Sequence, residues 1–311
     1  MSASEIKILV TGARGFIGRA LLPLLAKIYG GSSIHAIKRR HDDPVPPVPG
    51  VTWHSLDLLD TGAARKLIDI IKPTHILHAA WEARPPQFWT SDDNLRWVKA
   101  SIELTDHFVQ SGGKRFLSLG SLAEYDIHQG RMIEHQTPEI PTTLYGQSKL
   151  DFHRHLLMLN QERGFSAAIG RVFYVYGPFE HPSKLVASAC HAIAMNRVAE
   201  FGPLDLWRDY LHIDDLARAI ITLFGSSVRG VVNLGSGEPV RQSTLIETLA
   251  KISGRDDLFK IGARPANPHE PPILFADTKI IRSLGWKPEI ALEDGLATTL
   301  QWWRAQHRRA A

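Results

Sequence analysis

The sequence predicts an α/β protein built on a doubly wound parallel sheet with a smaller C-terminal lobe, on three observations. Short apolar runs alternate with segments of helical periodicity through the first half of the chain. The first run ends in a glycine-rich turn that leads straight into a helix, and the alternation loosens after Gly177-Pro178. Strands separated by helix-length segments pair in parallel through right-handed crossovers, so a ligand is expected at the carboxyl ends of the strands.

The elements follow in order. "IKILVTG" is a short apolar run closed by glycine, "FIGRALLPLLAKIYG" carries helical spacing, and "IHAIK" is a second strand. "GVTWHSLDLLD", the helix "GAARKLIDIIK", the strand "HILHAA", a long helix from about Ser91 to Ser111 and the strand "KRFLSLGS" continue the pattern. A further helix starts near Tyr145, and "SAAIGRVFYVYG" reads as a sixth strand. The first domain is therefore placed at residues 1–177, with a segment at about 209–236 returning to it, and 178–311 is mostly a second lobe. Its helices include "HIDDLARAIITLF" and "LEDGLATTLQWWRA".

Composition narrows the class. A hydrophobic fraction of 44% and a charged fraction of 22% are those of an ordinary globular protein. Arg14, Arg19, Lys27 and Lys38 interrupt every N-terminal apolar run, well short of the roughly 18 to 20 residues a bilayer span needs. "KILV" follows the start too closely for a secretory leader, and the single Cys190 excludes an intrachain disulfide, so a reducing, cytoplasmic location is expected. The net charge of +4 is spread thinly, without a basic run interleaved with aromatics, so no nucleic-acid partner is expected. The cations of "RAQHRRAA" suit a helix C-terminus. The 15 histidines show no HExxH spacing, and no metal site is expected.

Between the first strand and first helix stands "TGARGFIG", with Gly12, Gly15 and Gly18 spaced GxxGxxG around Arg14, Phe16 and Ile17. Glycines there let the chain turn tightly, let its backbone approach a pyrophosphate, and let the helix pack closely on the sheet. The helix N-terminus then offers N–H groups to the anion. "LYGQSK" adds Tyr145 and Lys149, which an i, i+4 helical spacing puts on one face. A cation beside a phenol favours the phenolate, and Lys149, together with the positive charge of a bound cofactor, is expected to lower the pKa of Tyr145 toward neutrality. Ser121 ends the fifth strand in "FLSLGSLAEY".

Together these residues resemble the extended short-chain dehydrogenase/reductases, the family of nucleotide-sugar epimerases, dehydratases and reductases, with a Rossmann-type sheet. The resemblance spans essentially the whole chain. It implies that Ser121 orients the reacting oxygen, that Tyr145 is the acid or base, and that Lys149 also holds the nicotinamide ribose. It also implies adenine contacts from Asp57 and Leu58 and a small-residue wall from Ala79 and Ala80. The residue ending the second strand meets the adenosine ribose; an acid there suits NAD. Here Lys38, Arg39 and Arg40 follow one another, with Arg14 in the glycine loop, so NADP is expected, with NAD as the alternative.

"RVFYVYGP" is similar to the family's RxFNxYGP, with Tyr174 in place of the usual substrate-holding Asn. "FGPLDLWRDYLHIDDLARAI" gives Arg208 the grip on a nucleotide diphosphate, and leaves Asp209 and the acids of "HIDD" as structural caps. Glu270 is placed at the nucleoside ribose, Arg264 at a phosphate, and Trp81, Glu82 and Arg84 beside the sugar. Lys184 is read either as a phosphate contact or as a solvated helix start, and Cys190 as core. Dehydratases of the family carry Asp and Glu after the Ser/Thr, where this chain has Leu122 and Ala123; only Glu124, one place along, stands near that role.

The expected activity is NADPH-dependent reduction of a nucleoside-diphosphate 4-keto-6-deoxyhexose at C4. A nucleotide-sugar 4-epimerase is the alternative, and a non-catalytic dinucleotide-binding regulator a third reading. Helices at 91–111 and 145–160 resemble those of the family's four-helix dimer interface, so a homodimer is expected.

Overall fold

The computed structural model describes residues 6–41, 45–267 and 270–310. The chain start, Asp42 to Pro44 of the proline-rich loop, Pro268 and His269, and the side chain of Arg309 lie outside the described residues. Two compact units divide the chain.

The first unit comprises residues 1–126, 138–172 and 217–232. Its strands are β1 (Ile8–Thr11), β2 (Ile34–Lys38), β3 (Thr52–Ser55), β4 (His75–His78), β5 (Arg115–Ser121), β6 (Ser166–Val172) and β7 (Gly230–Leu234), whose last residues pass into the second unit. They form a seven-stranded sheet in the order β7-β6-β5-β4-β1-β2-β3. β1 pairs in parallel with both β2 and β4, β3 continues from β2, and β5 and β6 continue from β4. The chain order thus reverses at β1, and the crevice between the carboxyl ends of β1 and β4 is where an open α/β sheet binds its ligand.

The helices explain why these strands read as nearly unbroken apolar runs. α1 (Phe16–Tyr29), α2 (Ala63–Ile71), α3 (Asp93–Gln110) and α4 (Leu144–Arg163) cross over between strands. Leu67, Ile68, Trp97, Leu104, Phe108, Phe152 and Leu156 from α2, α3 and α4 pack with Leu9, Ile37, Ile76 and Phe116 of the sheet in one buried cluster. Each such side chain contributes about 1.5–3 kcal/mol on burial. α1 buries Leu21, Leu22 and Leu25, and its Tyr29 meets Phe224 edge to face at 6.0 Å.

The second unit comprises residues 127–137, 173–216 and 233–311. Its helices are α5 (Leu185–Met195), α6 (Ile213–Gly225, which continues into the first unit), α7 (Gln242–Ser253), α8 (Lys279–Ser283) and α9 (Leu292–Ala310). Cys190, Ile193, Leu245, Leu249, Leu296 and Leu300 form its core, so Cys190 is a packing residue whose thiol burial pushes up. Asp209, fully buried, accepts hydrogen bonds from Ser236 N and Oγ (2.6 Å each), Gly237 N (3.0 Å) and Ala276 N (3.0 Å). Asp215 accepts from Glu289 N and Ile290 N at 3.0 Å. Both acids are structural caps.

The boundaries differ from the sequence reading. The first unit ends at Val172 and takes back 217–232, where 177 and 209–236 were expected. The run read as one sixth strand breaks at Phe173, whose N–H donates to Leu234 O. Tyr174–Tyr176 then forms a separate strand beside Tyr210–His212. Residues 127–137 join the second unit because Arg131–Met132 pairs with Phe275–Ala276.

Asp209→Ala leaves buried backbone donors without an acceptor, and is expected to cost about 3 kcal/mol or more of unfolding free energy, read as a fall in urea midpoint.

Candidate active site

The turn after β1 is held by backbone contact. Gly12 has φ +69°, and a Cβ there would lie 2.6 Å from the Ala79 carbonyl carbon and oxygen. A Cβ at Gly18 would lie 2.2 Å from Gly12 O. Gly15 stands exposed at the head of α1, which has neither a capping side chain nor an acid in its first turn. The first-turn N–H groups thus lack a capping side chain, and Phe16 and Ile17 beside them are partly exposed. Arg19 Nε donates to Arg14 O at 2.9 Å and steadies the loop.

Thr11 ties this turn to the neighbouring strand. Its Oγ1 accepts from Ala79 N (3.2 Å) and Ala80 N (3.1 Å) and therefore donates to His78 Nδ1 at 2.8 Å. His78 Nε2–H then donates to Ser101 Oγ at 2.9 Å. Burial, with Lys149 and His153 nearby, lowers His78 to about 3, so the ring is neutral.

At the end of β2, Lys38 Nζ donates to the His41 carbonyl. Arg39 Nε lies 3.4 Å from Asp57 Oδ2, and Asp57 Oδ1 accepts from Leu59 N at 3.0 Å. Arg39 and Arg40 are exposed, and Leu58 is buried in the core.

Ser121, Tyr145 and Lys149 come together. Thr143 caps α4 by accepting from Gly146 N at 3.1 Å, and a Cβ on Gly146 would lie 2.2 Å from Ala123 O, so the helix start presses on the turn that follows Ser121. The Ser121 side chain is close enough to Tyr145 to draw its pKa down against burial. Phe88 and Trp89 stand edge-on to the Tyr145 ring at 4.9 and 5.7 Å. Lys149, 4% exposed, donates to Leu119 O at 2.9 Å.

In the protein itself, burial governs the electrostatics of this pair. Burial pushes the Tyr145 phenol up; Ser121 opposes this, and the charge on Glu124 adds to it. Burial also lowers Lys149 to about 7, against the pull of Glu124. Desolvation thus weakens the ammonium form of Lys149 and favours the protonated form of the phenol.

Glu124 is fully buried and is not a free acid. Its Oε1 accepts from Ser121 N at 2.7 Å, and its Oε2 accepts from His153 Nδ1 at 2.9 Å and Arg171 Nε at 3.0 Å. Burial pushes the carboxyl up, but His153, Arg171 and the Ser121 N–H outweigh it and bring it down to about 2. The permanent charge of Arg171 keeps Glu124 ionised while burial pushes His153 down, toward its neutral form, its Nε2 accepting from Ser118 Oγ at 2.9 Å. The sequence reading missed this assembly, whose His153 and Arg171 lie 29 and 47 residues from Glu124 along the chain.

The Trp81 ring lies under Lys149, 4.0 Å from Nζ, and its Nε1 donates to Asn94 Oδ1 at 2.8 Å. Glu82 and Arg84 pair with each other at 2.7 Å.

In the second unit, Arg208 is fully buried and bonds Trp207 O (2.8 Å) and Glu270 Oε1 (2.9 Å), with Tyr174 at 5.7 Å from its guanidinium carbon. Its buried Nε has no hydrogen-bond partner among the described residues. Glu270 and Arg264 line a cleft of about 340 Å³ with Phe201 and Leu206. Lys184 stands exposed at the N-cap of α5.

A glycine turn of this kind at the switch point of a parallel sheet defines a dinucleotide-dependent enzyme of the extended short-chain dehydrogenase/reductase type. The chain belongs to the NAD dependent epimerase/dehydratase family, whose model matches residues 8–235. It is 25% identical over 318 residues to the GDP-6-deoxy-D-mannose reductase of Pseudomonas aeruginosa, covering 97% of this chain and 98% of that one. It is 30% identical over 343 residues to a probable UDP-glucuronate 4-epimerase of Rhizobium meliloti, covering 98% and 99%. The crystal structure of the Thermotoga maritima UDP-glucose 4-epimerase with UDP-glucose shares the fold, with a TM-score of 0.86 at 22% identity over 97% of this chain and 99% of that one.

Lys149→Met is expected to trade activity for stability. Lys149 titrates at about 7 when folded, against 10.5 ordinarily. Between these values the unfolded chain binds more protons, so wild-type stability rises with pH across that window. The variant should melt higher than wild type at pH 6, and the gap should close as pH approaches 10.5.

Proposed function

We propose that the protein is an NADPH-dependent reductase of a nucleoside-diphosphate 4-keto-6-deoxyhexose, acting at C4. The observation that carries the cofactor choice is the row Lys38, Arg39 and Arg40 at the end of β2, with Arg14 in the glycine loop. The Arg39–Asp57 pair is solvent-exposed and holds the arginine with less than about 1 kcal/mol. A 2′-phosphate offers charge-assisted hydrogen bonds of about 1.5–3 kcal/mol and displaces that pair.

The residues after β1 fit such a dinucleotide: the contacts at Gly12 and Gly18 leave no room for side chains, and the head of α1 has no capping side chain. When bound, the dinucleotide supplies the hydride. Tyr145, protonated because burial raises its pKa, donates its phenolic proton to the carbonyl oxygen as that oxygen gains charge. Ser121 donates to the same oxygen and fixes its direction, and Lys149 contributes positive charge beside it. Phe88 and Trp89 keep water from the Tyr145 ring. In the second unit, Arg208, Tyr174 and Arg264 take the diphosphate, and Glu270 turns from the guanidinium to the nucleoside. Leu95 and Met158, 56% and 46% exposed on α3 and α4, support a homodimer through these helices.

A second reading, a 4-epimerase that retains its cofactor, is favoured by the 30% identical uronate epimerase. The two separate on stoichiometry. Mixed with NADPH and a panel of nucleotide-linked 4-keto sugars, the protein should oxidise one NADPH per sugar reduced. Interconversion of sugars without net loss of NADPH would overturn the reductase. Tyr145→Phe should abolish turnover while leaving dinucleotide affinity within about twofold. The triple variant Lys38→Ala, Arg39→Ala, Arg40→Ala should raise KM for NADPH roughly tenfold or more and leave that for NADH nearly unchanged.

A further inference from the structure

The Lys149 ammonium carries three N–H donors, and the Leu119 carbonyl takes one, at 2.9 Å. Its other close neighbour is an aromatic face: the Trp81 centroid lies 4.0 Å from Nζ. That indole is held by design of its surroundings. Its Nε1 donates to Asn94 Oδ1 at 2.8 Å, and Asn94, 1% exposed, donates in turn to Phe88 O (2.7 Å) and Ser91 O (2.9 Å). Trp97 stacks on the ring at 6.1 Å with 26° between planes. The same asparagine therefore fixes both the ring beneath Lys149 and the segment that brings Phe88 and Trp89 against Tyr145.

The titratable groups around Lys149 are the Tyr145 phenol one turn earlier on α4, which burial favours in its neutral form, and three others. Glu124, in the turn after β5, favours the ammonium. Burial pushes His78 at the end of β4 and His153 on α4 down, toward their neutral forms. Against desolvation, then, one buried carboxylate and one indole face favour the charged form.

We propose that Trp81 is a positioning residue for catalysis, its indole face holding the Lys149 side chain in place and in its ammonium form. This rests on the reading that Lys149 acts as a cation toward the dinucleotide and the reacting oxygen. A desolvated ammonium over an indole is favoured by about one pKa unit. Removing the ring withdraws an attraction that only the charged form feels, so Lys149 titrates about one unit lower without it.

The full chain and its Trp81→Leu and Trp81→Phe variants are titrated with NADPH and with NADH from pH 5 to 10, and the dissociation constant of the tighter dinucleotide is followed against pH. Burial raises Tyr145 well away from this range, so the loss of affinity toward alkaline pH reports Lys149, and Lys149→Met should abolish that limb. In Trp81→Leu the limb is expected about one unit lower, with Trp81→Phe between the two. Where sugar turnover is measurable, kcat/KM for the dinucleotide moves in parallel. A limb that stays in place in Trp81→Leu, or its absence from the wild type, overturns the proposal. Should Trp81→Leu fail to fold, Trp81→Phe keeps the ring and must still shift the limb part of the way. Failure of every sugar in the panel would sink the reductase reading and leave this binding measurement standing.

Discussion

The candidate active site of the first unit depends on one buried anion. Glu124 accepts hydrogen bonds from the Ser121 backbone, His153 and Arg171, which come from β5's end, α4 and β6. A carboxylate taken fully out of water is tolerated only when its charge is matched and its lone pairs are filled, and here both conditions are met by groups from three different elements. The carboxylate is thereby a pin through the sheet and its covering helix. It also sets the local field: it raises the pKa of Tyr145 and, in the same direction, supports the charge of Lys149. Gly120 makes room for it, since a Cβ there would lie 2.6 Å from Glu124 Oε1.

This arrangement keeps proton donor and cation from neutralising each other. A fully charged lysine close enough to dominate would favour early ionisation of the phenol. Burial of both groups instead leaves a protonated phenol beside an amine poised near neutrality, which small changes in surroundings can charge. The aromatic groups that clasp the pair, Trp81 on one member and Phe88 with Trp89 on the other, are all tied to Asn94 or its immediate neighbours.

What was legible in the sequence was what is local. The GxxGxxG spacing and the Tyr145–Lys149 interval each lie within one turn or two of backbone, and the structure puts the glycines at backbone contacts and the Tyr–Lys pair on one helix face as read. The alternation of strands and helices likewise follows from short-range periodicity. What was hidden depends on distant partners. No pattern around Glu124 announces that residues 153 and 171 will close on it, nor that Asn94 will orient Trp81. The break at Phe173 was invisible because the apolar run continues through it unchanged, and only the pairing of Tyr174–Tyr176 with Tyr210–His212 separates the two strands. The burial that pushes Tyr145 up was hidden too, because spacing along a helix tells which groups are near, but not how dry their surroundings are.

The path of the chain has its own consequence for biosynthesis. The backbone leaves the first unit after Asp126, re-enters at Pro138, leaves again after Val172 and returns at Ala217 for the segment ending at Val232. Neither unit is therefore a continuous stretch that a ribosome could release and let mature by itself. The nucleotide-binding sheet must wait, with its β6 edge uncovered, until translation has passed residue 232, so a nascent chain stalled before that point would be a natural client for chaperones.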